Sequence, residues 1–138
     1  WSSDVCSSDL VMNNEKDVKK EVKKILDKHK WFWWMPPANG FGKVGVADFN
    51  AIRGGVFMAV ETKFGKNQPT AHQRAFLSSI TAEDGFGFVV NDKNLDWFRS
   101  FMEAFDRSAD AASRRVDPSQ EDGAMMLNAV RELTNGFV

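Results

Sequence analysis

Apolar positions near the start of the chain recur at the spacing of a helical face. Five residues follow the i, i+4, i+7, i+8 pattern: Val18, Val22, Ile25, Leu26 and His29. This pattern predicts a helix over residues 15–30, with Asn13 or Asn14 available to cap its first turn. Two further apolar periodicities predict helices, one over residues 70–82 after Thr70 and one over 95–105.

Between these helices, short apolar runs bounded by glycine or proline predict strands over residues 31–35, 44–49, 56–63 and 86–90. Arg53-Gly54-Gly55 is a hairpin signal between the second and third strands. The predicted order is α-β-β-β-α-β-α. It indicates an α/β (α+β) domain with a mixed sheet flanked by helices.

Both ends of the chain differ from this middle part. Residues 1–11 look like the in-frame translation of a sequencing-library adapter, which ends in Val-Cys-Ser-Ser-Asp-Leu, and we set them aside. The domain is expected over residues 12–106. Residues 107–138 are expected to form a linker, polar and poor in large apolar residues over 108–123, followed by a short helix over 124–133.

The composition excludes several classes of protein. The chain has 138 residues, of which 43 % are hydrophobic, so a packed core is expected. It has one cysteine, too few for a disulfide framework, and no apolar run near the ~18 residues that span a bilayer. We therefore expect a cytoplasmic protein without a membrane partner. A net charge of −1 argues against a uniformly basic DNA-coating protein but allows a local basic face.

Two adjacent predicted strands carry the candidate chemistry. Glu61 and Lys63 are two residues apart, so they project from the same face of their strand. Hairpin pairing through the glycine turn places Asp48 opposite Glu61. Two carboxylates suit Mg²⁺, and a lysine beside them can orient or deprotonate a water. Taken alone, each of these residues is more typical of a surface ion pair than of a functional site. Their combination on adjacent strands favours a functional site.

These residues resemble the signature of the PD-(D/E)XK nuclease superfamily. In detail they are most similar to its VRR-NUC branch, which includes small phage nucleases related to Holliday-junction resolvases. The matching residues are Glu15 at the start of the first helix, Gly45 to Asp48, Glu61 to Lys63, Pro69 and Gln73. The resemblance covers about residues 15–105 and implies a restriction-endonuclease-like core. The sequence departs from the family pattern at Ala47, where the family usually has proline, and at Thr62, where an apolar residue is commoner.

The resemblance implies a role for each matching residue. Asp48, Glu61 and the backbone carbonyl of Thr62 would bind Mg²⁺ or Mn²⁺, and Lys63 would be catalytic. Gln73 would position Glu61, a water or a phosphate; the alternative is a solvated helix residue. Helical geometry places Glu15 within the apolar stripe, where a carboxylate needs a partner, and the metal site or the groups around its ligands would provide one. The alternative interpretation of Glu15 is that its charge only stabilises the positive N-terminal end of the helix.

The expected partner is DNA. Lys43 and Lys66 lie in the loops flanking the predicted site, and with Arg74 they are the predicted phosphate contacts. The expected function is a metal-dependent DNA endonuclease selective for branched DNA such as four-way junctions, for which a homodimer is suited. If phage-encoded, it would act in the host-cell cytoplasm. Two alternatives remain open: a non-catalytic DNA-binding or assembly module on the same fold, and a restriction-type nuclease.

Overall fold

A computed structural model of the chain describes residues 11–38 and 40–115, with side chains up to residue 110. Within these residues, three helices and four strands follow one another in the predicted order. They are α1 (Glu15–Lys28), β1 (Phe32–Trp34), β2 (Phe49–Arg53), β3 (Val56–Thr62), α2 (Ala71–Ala82), β4 (Phe86–Val90) and α3 (Leu95–Arg115).

The strands form one mixed sheet in the order β1-β2-β3-β4. β1 and β2, and β2 and β3, pair antiparallel, whereas β4 lies parallel to β3. The parallel pair requires a crossover, and α2 supplies it. This confirms the predicted α+β class, with a mixed sheet flanked by helices. β3 is a central strand, which explains why its residues 58–62 are all buried.

Helix α1 forms as its sequence pattern predicts. The Asn14 side chain accepts a hydrogen bond from the amide of Asp17 and caps the first turn. All five residues of the predicted stripe are buried. The stripe therefore fixes which way α1 faces, and the opposite side of the helix presents lysines to solvent.

The hairpin between β2 and β3 differs from the prediction in its first strand. Gly54 and Gly55 have φ of +57° and +80° and close a two-residue turn, with Arg53 paired to Val56. β2 therefore runs over Phe49–Arg53, and the predicted strand over 44–49 is wrong. Gly45, at φ +79°, turns the chain before the strand can begin.

Helices cover the two faces of the sheet differently. On one face, Leu77 of α2 packs with Ala59 of β3 and with Ala47. On the other face, α1 and α3 lie side by side, and Arg99 of α3 forms an ion pair of 3.2 Å with the buried Glu21 of α1. This arrangement leaves the carboxyl end of β3 between α1 and α2.

The last helix is longer than predicted. α3 continues to Arg115, so residues 107–115 of the predicted linker are helical. Alanine and arginine favour helix, and no proline or glycine interrupts the chain before Pro118. The first compact unit ends at Glu103, and the rest of α3 belongs to a second unit. Residues 1–10, the rest of the predicted linker and the predicted helix over 124–133 lie outside the described residues.

Among the residues described, no helix combines the length and the apolar character that crossing a membrane requires.

Candidate active site

The hairpin register brings Asp48 and Glu61 together. Phe49 pairs with Val60, so Asp48, one residue before β2, lies opposite Glu61. The backbone N–H of Asp48 donates a hydrogen bond of 3.2 Å to Glu61 Oε2. The predicted juxtaposition of the two acidic residues is therefore present, although Asp48 lies just outside the strand.

Thr62 fixes the orientation of the Asp48 side chain. Its backbone N–H donates to Asp48 Oδ2 at 3.0 Å, and its hydroxyl donates to the same oxygen. Thr62 is fully buried, so neither bond competes with bulk water. The sequence interpretation assigned a role only to the Thr62 carbonyl and missed the hydroxyl. A polar residue on the buried end of a central strand was the signal that could have found it.

Glu61 is held from two sides. Its Oε1 atom accepts a hydrogen bond of 2.7 Å from the Gln73 side-chain amide and forms an ion pair of 2.9 Å with Lys63 Nζ. Lys63 is fixed in turn because its backbone N–H donates to the carbonyl of Val90 at 3.0 Å. β4 and α2 thus both contribute to the position of the Glu61–Lys63 pair.

Gln73 also caps the helix that carries it. Its side-chain oxygen accepts from the Thr70 N–H at 2.9 Å, while the Thr70 hydroxyl accepts from the Gln73 N–H at 3.2 Å. This reciprocal pair is a capping box. With its oxygen used by the cap, the NH₂ group of Gln73 is directed to Glu61. Among the alternatives predicted for Gln73, the geometry agrees with positioning Glu61.

Lys19 of α1 connects Glu15 to the site. Its Nζ atom lies 3.1 Å from Asp48 Oδ1 and 3.4 Å from Glu15 Oε1. Glu15 is thus joined to Asp48 through the Lys19 ammonium. The sequence interpretation singled out Glu15 but missed Lys19, which was hidden in a helix with many lysines. Its position one turn after Glu15 and next to the apolar stripe was the available signal.

Burial and charge shift two pKa values at the site. Burial raises the pKa of Glu61, and the charge of Asp48 raises it further, whereas Lys63 opposes both. Burial lowers the pKa of Lys19, but its contacts with Asp48 and Glu15 outweigh burial and leave that pKa above its usual value. Each of the two carboxylates thus has an ammonium group beside it, Lys19 at Asp48 and Lys63 at Glu61.

A close backbone approach holds the segment before Asp48 against α2. A Cβ atom on Gly45 would lie 2.5 Å from the backbone carbon of His72, in the first turn of that helix. Only glycine fits there, and its positive φ also requires glycine. Gly45 thus sets the path of the chain into Asp48.

A cleft of about 630 Å³ opens beside Asp48. Its lining includes Lys19 and residues 35–38 and 40–47, with Lys43 among them. The side chains of Asp48 and Lys63 retain 20 % and 14 % exposure, so molecules in solvent can reach both groups. The Glu61 side chain, by contrast, is only 2 % exposed, and of the three residues it is Asp48 that lines the cleft.

The three predicted phosphate contacts have different surroundings. Lys43 is exposed and lies 5.8 Å from the ring centre of Phe76. Lys66 is also exposed, in the loop after β3. Arg74 donates two hydrogen bonds, of 3.1 and 3.0 Å, to the carbonyl of Pro69. Its guanidinium therefore already helps to fix the loop that leads into α2.

The donor set fits a small hard cation. Within residues 11–38 and 40–115, no three side chains of the types His, Cys, Asp and Glu group together as metal ligands. The site instead offers the carboxylates of Asp48 and Glu61, and the backbone carbonyl of Thr62, the residue after Glu61 in sequence. One or two carboxylates completed by water are the usual Mg²⁺ ligands.

Comparison of the chain with protein-family models gives no match, and comparison with curated proteins gives none either. The functional assignment therefore depends on the residues and their geometry.

Proposed function

We propose that the chain is a metal-dependent DNA endonuclease of the VRR-NUC type, within the PD-(D/E)XK superfamily. The observation that carries the proposal is the joint position of Asp48, Glu61 and Lys63. The Asp48 amide contacts Glu61, and Lys63 Nζ lies 2.9 Å from the same carboxylate. The α-β-β-β-α-β order of the domain agrees with the family that these residues resemble.

Each residue has a defined part in the proposed hydrolysis. Asp48, Glu61 and the Thr62 carbonyl would hold Mg²⁺ or Mn²⁺. When bound, the cation would lower the pKa of a coordinated water and neutralise charge on the phosphate. Lys63 orients the attacking water and stabilises negative charge on the phosphate oxygens. As the water oxygen bonds to phosphorus, it gives up a proton to solvent, the bond from phosphorus to the leaving oxygen breaks, and that oxygen takes up a proton from solvent.

Gln73 and Thr62 keep the two carboxylates in place. Gln73 donates to Glu61, and Thr62 donates to Asp48. Hydrogen bonds to ligand carboxylates restrict their rotation, which keeps them oriented for a cation. Glu15 acts at a distance, through its contact with Lys19.

The substrate we propose is DNA, recognised through its backbone and shape. The cleft beside Asp48 would admit the cleaved strand, with Lys43 and Lys66 on its phosphates and Arg74 nearby. α1 adds positive charge, because Lys16, Lys19, Lys20 and Lys23 line a shallow groove together. With DNA as substrate, the protein would act in the cytoplasm, that of the host cell if it is phage-encoded.

We further propose selectivity for branched DNA and a homodimer that matches the symmetry of a four-way junction. Support for the dimer comes from edge strand β1, where Phe32 and Trp34 are 70 % and 42 % exposed. Ile52 of β2 pairs with Phe32 and is 40 % exposed on the same face. Such an exposed apolar group is typical of an interaction surface.

Nicking of supercoiled plasmid tests the enzymatic activity. The wild-type protein should nick with Mg²⁺ or Mn²⁺ and lose activity with chelator. Asp48→Asn should reduce nicking at least about a hundredfold, because it removes a charged ligand. Asp84→Asn is the matched control, since Asp84 is exposed at the end of α2. Equal activity of Asp48→Asn and Asp84→Asn would contradict the proposal.

Two further results decide between the alternatives. A protein that shifts DNA mobility equally with and without metal, and never cuts, is a non-catalytic binding module. If it cuts, sequencing of the ends produced from random DNA shows whether a base sequence is preferred, as for a restriction-type enzyme. Faster cleavage of flapped or four-way DNA than of linear duplex supports the branched substrate.

A further inference from the structure

The contact between Lys19 and Asp48 places a lysine at one of the proposed metal ligands. Lys19 Nζ lies 3.1 Å from Asp48 Oδ1, and its side chain is 29 % exposed. Lys63 occupies the corresponding place at Glu61. Each acidic residue of the site therefore has its own ammonium group.

An ammonium at this distance and a divalent cation on the same carboxylate repel each other. Mg²⁺ binds carboxylate oxygens at about 2.0–2.1 Å, so both charges would lie within a few ångströms. Lys19 therefore has to withdraw from Asp48 or weaken the binding of metal there.

Glu15 offers Lys19 a second partner. Its Oε1 atom lies 3.4 Å from Lys19 Nζ, one turn earlier on the same helix. A lysine side chain is long and flexible, so a small change of its torsion angles moves the ammonium from Asp48 towards Glu15. Glu15 and Asp48 thus both contact the ammonium group of Lys19.

We propose that Lys19 is the built-in counter-ion of Asp48, that a divalent cation displaces it, and that Glu15 then retains it. This makes Lys19 and Glu15 positioning residues, acting through Asp48. The inference rests on the metal site of the proposed function and defines how that site responds to metal.

The proposal requires Lys19 and Glu15 to have opposite effects on metal affinity. Lys19→Met removes the competing charge, so Mn²⁺ should bind about tenfold more tightly. Glu15→Gln removes the alternative partner of Lys19, so Mn²⁺ should bind more weakly. In the double variant the loss caused by Glu15→Gln should disappear, because no ammonium remains to be retained. A merely structural role of Lys19 would weaken binding when it is substituted.

The experiment is equilibrium Mn²⁺ binding by calorimetry, without DNA, on the full chain. Lys19→Arg keeps the charge and should bind like the wild-type protein. Lys28→Met, at an exposed position in the last turn of α1, is the matched control and should leave affinity unchanged. Thermal denaturation with chelator verifies that each variant is folded, and Lys19→Gln replaces Lys19→Met if the latter is not.

The outcomes separate the two proposals. Equal or weaker binding by the folded Lys19 variant overturns the counter-ion role and leaves the nuclease proposal standing. If Glu15→Gln weakens binding equally in the Lys19→Met background, Glu15 acts directly on the metal, and the retention step is overturned. If neither the wild-type protein nor Lys19→Met binds Mn²⁺, the metal site itself is absent, and the proposed function fails with it.

Discussion

Thr62 donates two hydrogen bonds to one oxygen of Asp48, from its backbone amide and from its hydroxyl. The first bond belongs to any residue at this position, but the second requires a hydroxyl. Thr62→Val keeps the shape and removes that donor. It should cost about 1 kcal/mol of unfolding free energy. Because Asp48 loses part of its support, metal-dependent cleavage should fall about tenfold.

Urea denaturation and single-turnover cleavage measure the two effects. Thr62→Ser keeps the hydroxyl and is the matched control, expected to retain most activity. If the valine and serine variants cleaved equally fast, the hydroxyl would have no part in positioning Asp48.

The two functions of Gln73 can be separated by comparison with Thr70. Gln73→Leu removes both the capping box and the donor to Glu61, so stability should fall by about 1 kcal/mol and cleavage about tenfold. Thr70→Ala disturbs only the cap. It should cost a similar free energy of unfolding and leave cleavage near the wild-type rate. An equal loss of cleavage in Thr70→Ala would mean that Gln73 acts through the helix cap alone.

Gly45 should tolerate no side chain. Gly45→Ala places a Cβ atom 2.5 Å from the His72 backbone at a φ of +79°, so the unfolding free energy should fall by about 3 kcal/mol. A Cβ on Gly42 would meet no atom within 4 Å. Gly42→Ala should therefore change stability by less than about 0.5 kcal/mol. Denaturant midpoints, with unchanged slopes, measure the stability of both variants. Similar midpoints for the two would refute the close approach of Gly45 to the His72 backbone.

The raised pKa of Glu61 makes stability depend on pH. Burial is the main cause, so the folded protein holds the Glu61 proton more tightly than the unfolded chain does. The contribution of Glu61 to stability is then lost as the pH rises from about 4.5, its ordinary pKa, through the raised value. Glu61→Gln resembles the protonated acid and removes this dependence.

Melting temperatures in chelator between pH 4.5 and 8 test this effect. The stability of Glu61→Gln relative to the wild-type protein should increase as the pH rises. The matched control is Glu83→Gln, the same substitution at an exposed position. If the stability difference between Glu61→Gln and the wild-type protein stays constant or shrinks as the pH rises, folding does not raise the pKa of Glu61.

The sequence predicted the parts of the fold that local patterns determine. The stripe of α1, the Thr70 cap and the Gly54-Gly55 turn each have a short-range cause, and the turn fixes the register that joins Asp48 to Glu61. The strand predicted over 44–49 failed because apolar Val44 and Val46 imitate a strand. The observed β2 contains the polar residues Asn50 and Arg53, which interrupt the apolar pattern expected of a strand.

The remaining features depend on contacts between distant residues. Lys19 lies 29 positions from Asp48 in the sequence and reaches it only because α1 packs beside the end of β3. The hydroxyl of Thr62 bonds to Asp48 because the register of the hairpin brings residue 48 beside the end of β3. Neither contact follows from spacing within a single element. The length of α3 was underestimated because its last residues are polar, although they favour helix.

The rate of phosphodiester cleavage in Lys63→Met is the most direct test of the account. The comparison is made on one DNA substrate under single-turnover conditions, with metal and protein high enough that both proteins are fully loaded. Lys93→Met, at an exposed turn before α3, serves as the control. The account predicts that the wild-type protein and Lys93→Met cut, whereas Lys63→Met binds the same DNA and metal but cuts at least about a hundredfold more slowly. Equal cutting by Lys63→Met, or no cutting by the wild-type protein with Mg²⁺ or Mn²⁺ on linear, flapped and four-way DNA, would contradict it.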